Sequence, residues 1–428
     1  MKLHVGAGKE IITPKIGGNL MGYSQDIYSE SVNDDLTVTV IAFEQEETRA
    51  LLFSVSVCLI SDELSDEIRT AVETKTGVPA ENILLCCTHT HSGPVTVKMT
   101  GWGDVDRPYC DEILIPRCVA AAVQAVKTLK PVQAGIGTAQ SRVGVNRREV
   151  KRDGRIELGV NPWGLRDPVM TVITFRCEDG STLANIVHYG AHCTASGANR
   201  EITRDWAGVM TDRLEAESGG ITAFINGALG DVGPRLSNGL TWGKLEYAME
   251  TGAMAALDAT YIYRYISHFS DVDCSVATGE IRIPYEPLLP LDQAEKEFNK
   301  YDEEPPHNLD HAKYNTLKEI IAMHGREQTG KKSLVLDQTL LRIGDVVFVP
   351  FPYEVFTEIT MRLREFSPYL HTLSISCANG SHGYLPDQSQ MCRGGYEVEM
   401  FKWMTPDRLP EDTDVRIVEE NLRLMEKL

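Results

Sequence analysis

Two histidines separated by a single residue follow a short apolar run in the segment LLCCTHTHSGP, residues 84–94. Side chains two positions apart in a strand point to the same side, so His89 and His91 are able to face one cavity. Imidazole is the commonest protein ligand for transition metals, and it also exchanges protons near neutral pH. The pair therefore indicates two metal ligands, or one ligand beside an acid–base group, or a strand end whose imidazoles bond to the backbone.

Four further strand-like runs end in side chains of the same chemical kind. These side chains are His192, Asp231, Glu354, and the pair His382 and Tyr384. In open α/β sheets, ligands gather outside the carboxyl ends of the strands, so we expect most of these groups to converge on one site. Two histidines and a carboxylate from separate strand ends match the three-ligand pattern of catalytic zinc, and Glu354 is the best carboxylate candidate. The alternative interpretation of Glu354 is an acidic residue in the first turn of the helical stretch that it opens.

The elements that must position these groups alternate along the chain between strand-like and helix-like stretches. This alternation predicts an α/β fold of mixed β-sheets flanked by helices. Residues 61–77 predict an amphipathic helix that Ser61 or Asp62 caps and Gly77 ends. Residues 168–191 predict a hairpin around a Glu-Asp-Gly turn.

Residues 286–332 are heavily charged, helix-forming and interrupted by Pro305 and Pro306. Because strand-rich segments flank this stretch, we expect a single large domain over residues 1–428 with a helical insertion at about 286–332. The sequence leaves open whether the insertion is a lid, an oligomer contact or scaffold.

The overall composition excludes several classes of function. The chain has 428 residues, 42% of them hydrophobic, and a formal net charge of -19. Such a charge disfavours nucleic acids and anionic membranes as partners. No apolar run reaches the length of about 18 residues that a membrane span needs. The N-terminus has no apolar leader, so we expect a cytoplasmic protein whose ten scattered cysteines are reduced.

Two common classes of HxH enzyme do not fit the motif. Metallo-β-lactamase-like sites need HxHxDH, whereas Ser92, Gly93 and Pro94 follow His91 here. Amidohydrolase barrels place HxH early in the chain and add a lysine, further histidines and a late aspartate, and that set cannot be assembled from this sequence. The chain also lacks a GxSxG elbow, a P-loop and a GxGxxG fingerprint.

Eight motifs in order resemble the neutral/alkaline non-lysosomal ceramidases. Five of them carry the site candidates already described: THTHSGP (88–94), VHYGAHCT (187–194), FINGALGDVGP (224–234), PFPYEVFTEITMRLR (350–364) and NGSHGYLPD with GGYE (379–397). The other three are GAGKEIITP with MGYS (6–24), VGVNRREVKRDGRIELGVNP (143–162) and RDWAG (204–208). The resemblance covers the large N-terminal catalytic domain of that family, and it implies that the smaller C-terminal β-sandwich of longer members is absent.

The resemblance implies a role for particular residues of this chain. The zinc (Zn2+) ligands would be His89, His192, Glu354 and Tyr384. His91 would lie beside the metal as the acid–base group, and Arg147 and Tyr396 would line the same site and stabilise an oxyanion or anchor the substrate. The implied reaction is hydrolysis of a linear amide, the N-acyl bond of a small-molecule substrate, by a zinc-activated water.

The chain departs from the family at Gly233, where ceramidases usually carry a serine. This departure leaves two alternatives to ceramidase activity open: a zinc hydrolase of a soluble N-acyl or sugar-like metabolite, and an inactive ligand-binding homologue. We expect Asp231 to hold its loop or a ligating histidine, and Asp205 to cap a helix that starts near Trp206. The sequence also leaves open a homo-oligomer.

Overall fold

The computed structural model describes residues 2–24, 26–99, 103–305 and 309–428. The strands are β1 His4–Ile11, β2 Ser31–Val32, β3 Thr37–Gln45, β4 Thr48–Val55, β5 Ile83–Cys87, β6 Lys130–Gln140, β7 Gly144–Val150, β8 Ile156–Asn161, β9 Val169–Cys177, β10 Thr182–Tyr189, β11 Glu201–Ile202, β12 Ile221–Asn226, β13 Val232–Pro234, β14 Cys274–Pro284, β15 Ser333–Ile343, β16 Val346–Pro350, β17 Glu354–Val355, β18 His371–Ile375 and β19 Tyr384–Leu385. The helices are α1 Asp62–Thr76, α2 Arg107–Tyr109, α3 Ile115–Lys127, α4 Asp205–Ser218, α5 Leu245–Tyr265, α6 Leu291–Phe298, α7 Leu309–Gly325, α8 Thr357–Phe366, α9 Gln388–Met391, α10 Tyr396–Trp403 and α11 Thr413–Met425.

A large sheet has the strand order β12-β10-β9-β6-β1-β3-β4-β5, and its pairs are antiparallel except β10–β12 and β4–β5. Helices α1 and α3 pack on strands β3, β4 and β5, while α4 and α5 pack on β9, β10 and β12. A smaller sheet, β14-β15-β16-β18, lies against the large one, and the apolar side chains of both sheets form a shared core. Helices α8 and α11 cover its other face. The predicted fold class, mixed sheets flanked by helices, is confirmed.

Helix α1 shows how local sequence sets these elements. The Ser61 hydroxyl accepts a hydrogen bond from the backbone N–H of Leu64 at 3.2 Å, as an N-cap does. Leu64, Ile68 and Val72 are buried at helical spacing, and Gly77 ends the helix in the left-handed conformation with φ 72°. The structure therefore confirms this helix at both of its predicted ends. It also confirms the predicted hairpin, since β9 and β10 pair antiparallel.

The strand ends that carry the candidate residues are tied together by hydrogen bonds. The Asn226 amide at the end of β12 donates to the Thr88 carbonyl just after β5, at 2.9 Å. The Cys87 N–H donates to the Cys377 carbonyl just after β18, at 3.1 Å. The Gly230 N–H donates to the Val355 carbonyl in β17 at 2.9 Å. Segments that are far apart in sequence thus meet at one place, between the two sheets and their loops.

Helices α6 and α7 occupy the stretch for which a helical insertion is predicted, and they pack on each other. Helix α7 also contacts α10, where the Thr316 hydroxyl donates to the Trp403 carbonyl at 2.6 Å. Pro305 precedes α7, whereas Pro306 lies outside the described residues. Among the described helices, none combines the length and the apolar character that a membrane crossing requires.

Candidate metal centre

Three side chains from separate elements bring their ligand atoms together. Glu354 Oε2 lies 3.0 Å from His192 Nε2 and 3.6 Å from His89 Nε2. All three ligand atoms lie within 4.8 Å of one another, and the residues are at most 7% exposed. Two imidazoles and one carboxylate at this spacing match the donor set of three-ligand metal sites.

Hydrogen bonds to backbone carbonyls fix the orientation of both imidazoles. His89 Nδ1 lies 2.9 Å from the Cys58 carbonyl oxygen. His192 Nδ1 lies 2.8 Å from the Leu229 carbonyl oxygen and 3.1 Å from that of Val232. Because a carbonyl only accepts, each Nδ1 carries the proton and each Nε2 directs a lone pair at Glu354. Metal-ligating histidines are commonly held in this way.

Two buried polar atoms of this cluster lack a partner. His192 Nε2 and Glu354 Oε2 make no hydrogen bond within the described part of the chain. Burial, and then the positive charge of Arg147, lower the pKa of His192 well below its ordinary value. A neutral imidazole lone pair facing a carboxylate oxygen at 3.0 Å is repulsive unless a positive charge lies between them. The donor set therefore fits a bound cation.

The backbone at His89 is unusual, and Glu354 lies in a different element from the one that its local sequence suggests. His89 adopts φ 66°, a left-handed conformation that is costly for a residue with a side chain and that tends to occur at functional sites. The alternative interpretation, in which Glu354 lies in the first turn of a helix, is wrong, because helix α8 begins only at Thr357. Glu354 instead lies in the short strand β17, where it pairs with Tyr384 of β19. The pairing brings the predicted carboxylate and tyrosine side by side.

A buried ion network adjoins Tyr384. Arg147 Nη2 donates to the Tyr384 hydroxyl at 3.0 Å, and Arg147 Nε donates to Glu397 Oε1 at 3.0 Å. Arg148 Nη1 contacts the other oxygen of Glu397, Oε2, at 2.6 Å. The predicted Tyr396 packs its ring 5.7 Å from that of Tyr384. Arg148 and Glu397 were not predicted, although they directly follow Arg147 and Tyr396 in the NRR and GGYE motifs.

His91 lies at the edge of the cluster and is only half-buried. Its Nε2 is 3.2 Å from His89 Nε2, while its Nδ1 has no partner in the described residues. Burial, followed by the charges of His89 and His192, lowers the pKa of His91 well below its ordinary value. The ring of Tyr23, which the sequence did not single out, packs against His91 at 5.2 Å. The structure thus separates the two histidines of the THTH motif by environment.

Asp231 lies behind the ligands rather than among them. Its carboxylate accepts from the backbone and hydroxyl of Thr357 at 2.9 and 2.8 Å and from Asn146 at 3.2 Å. Its own carbonyl accepts from the Arg147 N–H at 2.8 Å. Burial raises the pKa of Asp231 to about 7. These bonds tie the loop that supports His192 to the segments of Glu354 and Arg147.

The two other candidates lie elsewhere. His382 does not join the cluster, because its Nε2 bonds Asp62 at 2.7 Å near the surface. Asp205 is the first residue of α4, and its carboxylate accepts from the Trp206 N–H at 2.7 Å. The same carboxylate accepts from the N–H groups of Ala195 and Ser196, which fixes the chain just after His192.

Gly233 has a packing reason for lacking a side chain. A Cβ atom built on Gly233 would lie 2.6 Å from the Cβ of Thr241, a buried residue. The Thr241 carbonyl accepts from the Thr194 hydroxyl at 2.9 Å, which fixes this threonine near the segment of His192. Thr241 therefore fills the space that a serine at position 233 would need.

Comparisons with known proteins give one sequence relative and two solved structures. Neutral ceramidase A of Dictyostelium discoideum is 27% identical over an alignment of 260 residues, and the match covers 54% of this chain and 35% of that protein. The crystal structure of the neutral ceramidase of Pseudomonas aeruginosa matches with a TM-score of 0.77 and 18% identity, covering 100% of this chain and 75% of the other. A structure described as ceramidase complexed with C2 matches with a TM-score of 0.75 and 17% identity, covering 100% and 76%. No protein-family model matches the chain.

The match spans about a third of the curated relative's length. At 17–18% identity the solved structures show the fold, and the curated relative adds the likeness in sequence. Together they confirm the resemblance predicted from the eight motifs.

Proposed function

The chain is related in sequence and fold to the neutral ceramidases, and we propose that it is a zinc-dependent hydrolase of N-acyl amide bonds. One observation carries the proposal: His89, His192 and Glu354 aim their ligand atoms at one point, where His192 Nε2 and Glu354 Oε2 lack partners in the described residues. Ceramide is the substrate class of the named relatives, and an N-acyl lipid of that class is the substrate we propose for this chain.

His89, His192 and Glu354 would hold the zinc ion, with Tyr384 as the fourth ligand. Their burial supports this assignment, because it keeps both imidazoles neutral and excludes competing water. When bound, zinc lowers the pKa of a coordinated water to about 7 and polarises a carbonyl oxygen. Burial, and then the charge of Glu354, raise the pKa of Tyr384 well above its ordinary value, and the Arg147 guanidinium, which donates to the Tyr384 hydroxyl at 3.0 Å, opposes this shift.

The remaining residues would handle protons and charge. An amide nitrogen leaves only when it is protonated, and His91 is the neutral imidazole nearest to the ligands that is not itself a proposed ligand. His91 Nε2 lies 3.2 Å from His89 Nε2, and its ring would be free to exchange a proton with substrate if His89 Nε2 held the metal. Arg147, which Glu397 orients, would stabilise the charge that develops on the carbonyl oxygen. Tyr396 would pack beside Tyr384 and position the substrate.

The purified protein loaded with zinc is expected to release amine from N-acyl substrates. A panel from long-chain ceramides to short water-soluble N-acyl compounds, assayed for amine release, tests this expectation. Activity on the ceramides supports the proposal in full. Activity confined to the short compounds would mean that the substrate is a soluble metabolite and not a lipid, in line with Thr241 leaving no room for a serine side chain at Gly233. A zinc-loaded protein that binds but cleaves none of them would contradict hydrolysis.

His91→Gln is expected to lower kcat by about 10²–10⁴-fold while zinc content stays unchanged, since general acid–base groups contribute factors of that size. Steady-state kinetics and metal analysis on the same preparation check both parts. Tyr23→Phe is the matched control, because it retains the ring that packs on His91 and removes only the hydroxyl, which bonds the Thr194 carbonyl at 3.3 Å. Normal turnover in His91→Gln would remove the acid–base role.

A further inference from the structure

Two exposed loops leave one edge of the three-stranded sheet β13-β7-β8. Strands β8 and β13 lie on either side of β7 and both pair antiparallel with it, so both end beside the first residues of β7. Adjacent strands are about 4.8 Å apart, which brings the ends of β8 and β13 within about 10 Å of each other. The loop after β8, residues 162–166, and the loop after β13, residues 235–244, therefore start side by side. We call these two loops, together with Arg142 just before β7, the edge surface.

The edge surface exposes four large apolar side chains, which are Trp163 (94% exposed), Leu165 (45%), Leu240 (41%) and Trp242 (39%). Backbone hydrogen bonds hold both loops in shape. The Gly164 N–H donates to the Asn161 carbonyl at 3.1 Å, and the Gly239 N–H donates to the Leu236 carbonyl at 3.1 Å. Single apolar residues on a surface are common, but two tryptophans and two leucines on neighbouring loops mark an interaction surface.

The charge of the edge surface is opposite in sign to that of the whole chain. Its cations form no ion pair among the described residues, and they are Arg142, Arg166, Arg235 and Lys244. Of the neighbouring carboxylates, Asp167 is buried and paired with Arg364 at 2.6 Å, which leaves Glu246 and Glu250 on α5. Four cations therefore outnumber two carboxylates here, whereas the chain has a net charge of -19.

Both loops of the edge surface are tied to segments of the candidate metal centre. The side-chain amide of Asn146, which directly precedes Arg147, donates to a carbonyl of the first loop at 2.8 Å. Two residues after His192, the Thr194 hydroxyl donates to the Thr241 carbonyl of the second loop at 2.9 Å. A partner that rests on the edge surface therefore lies beside the segments that carry the arginine and one of the proposed metal ligands.

We propose that the edge surface docks the protein on a lipid bilayer that carries anionic head groups. Tryptophan rings settle at the boundary between head groups and acyl chains, and arginine and lysine are attracted to the negative potential of anionic lipids. At physiological salt, charges more than about 8 Å away are largely screened, so the local charge of the edge surface governs this contact and the total charge of the chain does not. The docking itself does not depend on the proposed function. Only its purpose, the delivery of an N-acyl lipid to the metal centre, rests on that function.

Sedimentation with sucrose-loaded vesicles measures the docking on the unmodified protein. Vesicles of phosphatidylcholine and phosphatidylglycerol in equal parts are expected to bind the protein at least about tenfold more tightly than vesicles of phosphatidylcholine alone. Salt at about 1 M, where the screening length is about 3 Å, is expected to remove this difference. Equal binding to both kinds of vesicle at physiological salt, or binding to neither, would overturn the proposal.

Variants place the docking on the edge surface. Trp163→Ala/Trp242→Ala is expected to bind the anionic vesicles about tenfold more weakly or less, because it removes both rings. Tyr261→Ala/Tyr265→Ala is the matched control, since it removes two exposed rings from α5 that lie about 25 Å or more along the helix from Lys244. Equal loss in both double variants, or no loss in either, would overturn the edge surface as the docking site.

A charge variant and an activity assay complete the test. Arg142→Gln/Lys244→Gln keeps both rings and is expected to weaken binding to the anionic vesicles alone, by about tenfold or more. Unchanged binding in this variant would overturn the part that the cations play. A protein that docks on vesicles but hydrolyses no N-acyl substrate would refute the proposed function and leave the docking standing. A protein that releases amine from short N-acyl compounds but binds no vesicle would refute the docking and leave hydrolysis standing.

Discussion

His192→Ala is expected to abolish stoichiometric zinc binding and to lower turnover by about 10³-fold or more. A bound Lewis acid contributes several kcal/mol of transition-state stabilisation, and about 1.4 kcal/mol corresponds to tenfold in rate. His192 Nε2 is the ligand atom nearest to Glu354 Oε2, at 3.0 Å, and the His192 ring is fully buried. In this variant the Glu354 carboxylate faces the methyl group of an alanine, and no other ligand atom takes the place of the imidazole nitrogen.

Metal content per chain, measured by mass spectrometry after dialysis, checks the binding part of this prediction. A chelator is expected to lower the Tm of the unmodified protein, because a ligand that binds only the folded state stabilises it. The same chelator is expected to leave the Tm of His192→Ala unchanged. His382→Ala is the matched control, since it removes a histidine that bonds Asp62 away from the cluster. One tightly held zinc ion in His192→Ala would refute the assignment of the site.

The sequence predicts these ligand candidates because each follows an apolar run at a strand end. His89 follows β5, His192 follows β10, and Glu354 follows β16, so local pattern and the rule for strand ends suffice to bring them together. The same rule was wrong for His382, which also follows a strand but does not join the cluster. Nothing local distinguishes it, and only the tertiary position of Asp62 draws its ring away.

The residues that sequence reasoning missed are held by contacts between distant segments. Glu397 meets Arg147 and Arg148 across about 250 positions, and Cys377 meets His89 across 288. No periodicity or spacing encodes such pairs. The pairing of Glu354 with Tyr384 could not be predicted either, because a strand of two residues has no alternating apolar pattern. The sequence after Glu354 is helix-forming, so it predicts a helix that begins at Glu354, before its actual first residue Thr357. Helix α1, by contrast, has both caps and its apolar face within residues 61–77 and was predicted at both ends.

Glu397 holds two buried arginines beside Tyr384. Its side chain is 1% exposed, and each of its two oxygens bonds a different guanidinium, that of Arg147 at 3.0 Å and that of Arg148 at 2.6 Å. Arg148 is further held by the Gly394 carbonyl at 2.6 Å, just before helix α10. Removing one member of a buried ion pair typically costs about 3–5 kcal/mol, because it leaves an uncompensated charge in the interior. Glu397 leaves two such charges behind.

Glu397→Gln is therefore expected to lower the free energy of unfolding by about 3–5 kcal/mol. It should also reduce kcat, because Arg147 loses the contact that orients it toward the Tyr384 hydroxyl. Denaturant unfolding gives the first quantity, and kinetics at a temperature where the variant stays folded give the second. Glu399→Gln on the same helix is the control: its carboxylate is only half-buried and makes no ion pair among the described residues. If Glu397→Gln loses stability but keeps kcat, the network supports the fold alone, whereas a loss of kcat in the folded variant assigns Glu397 the positioning of Arg147.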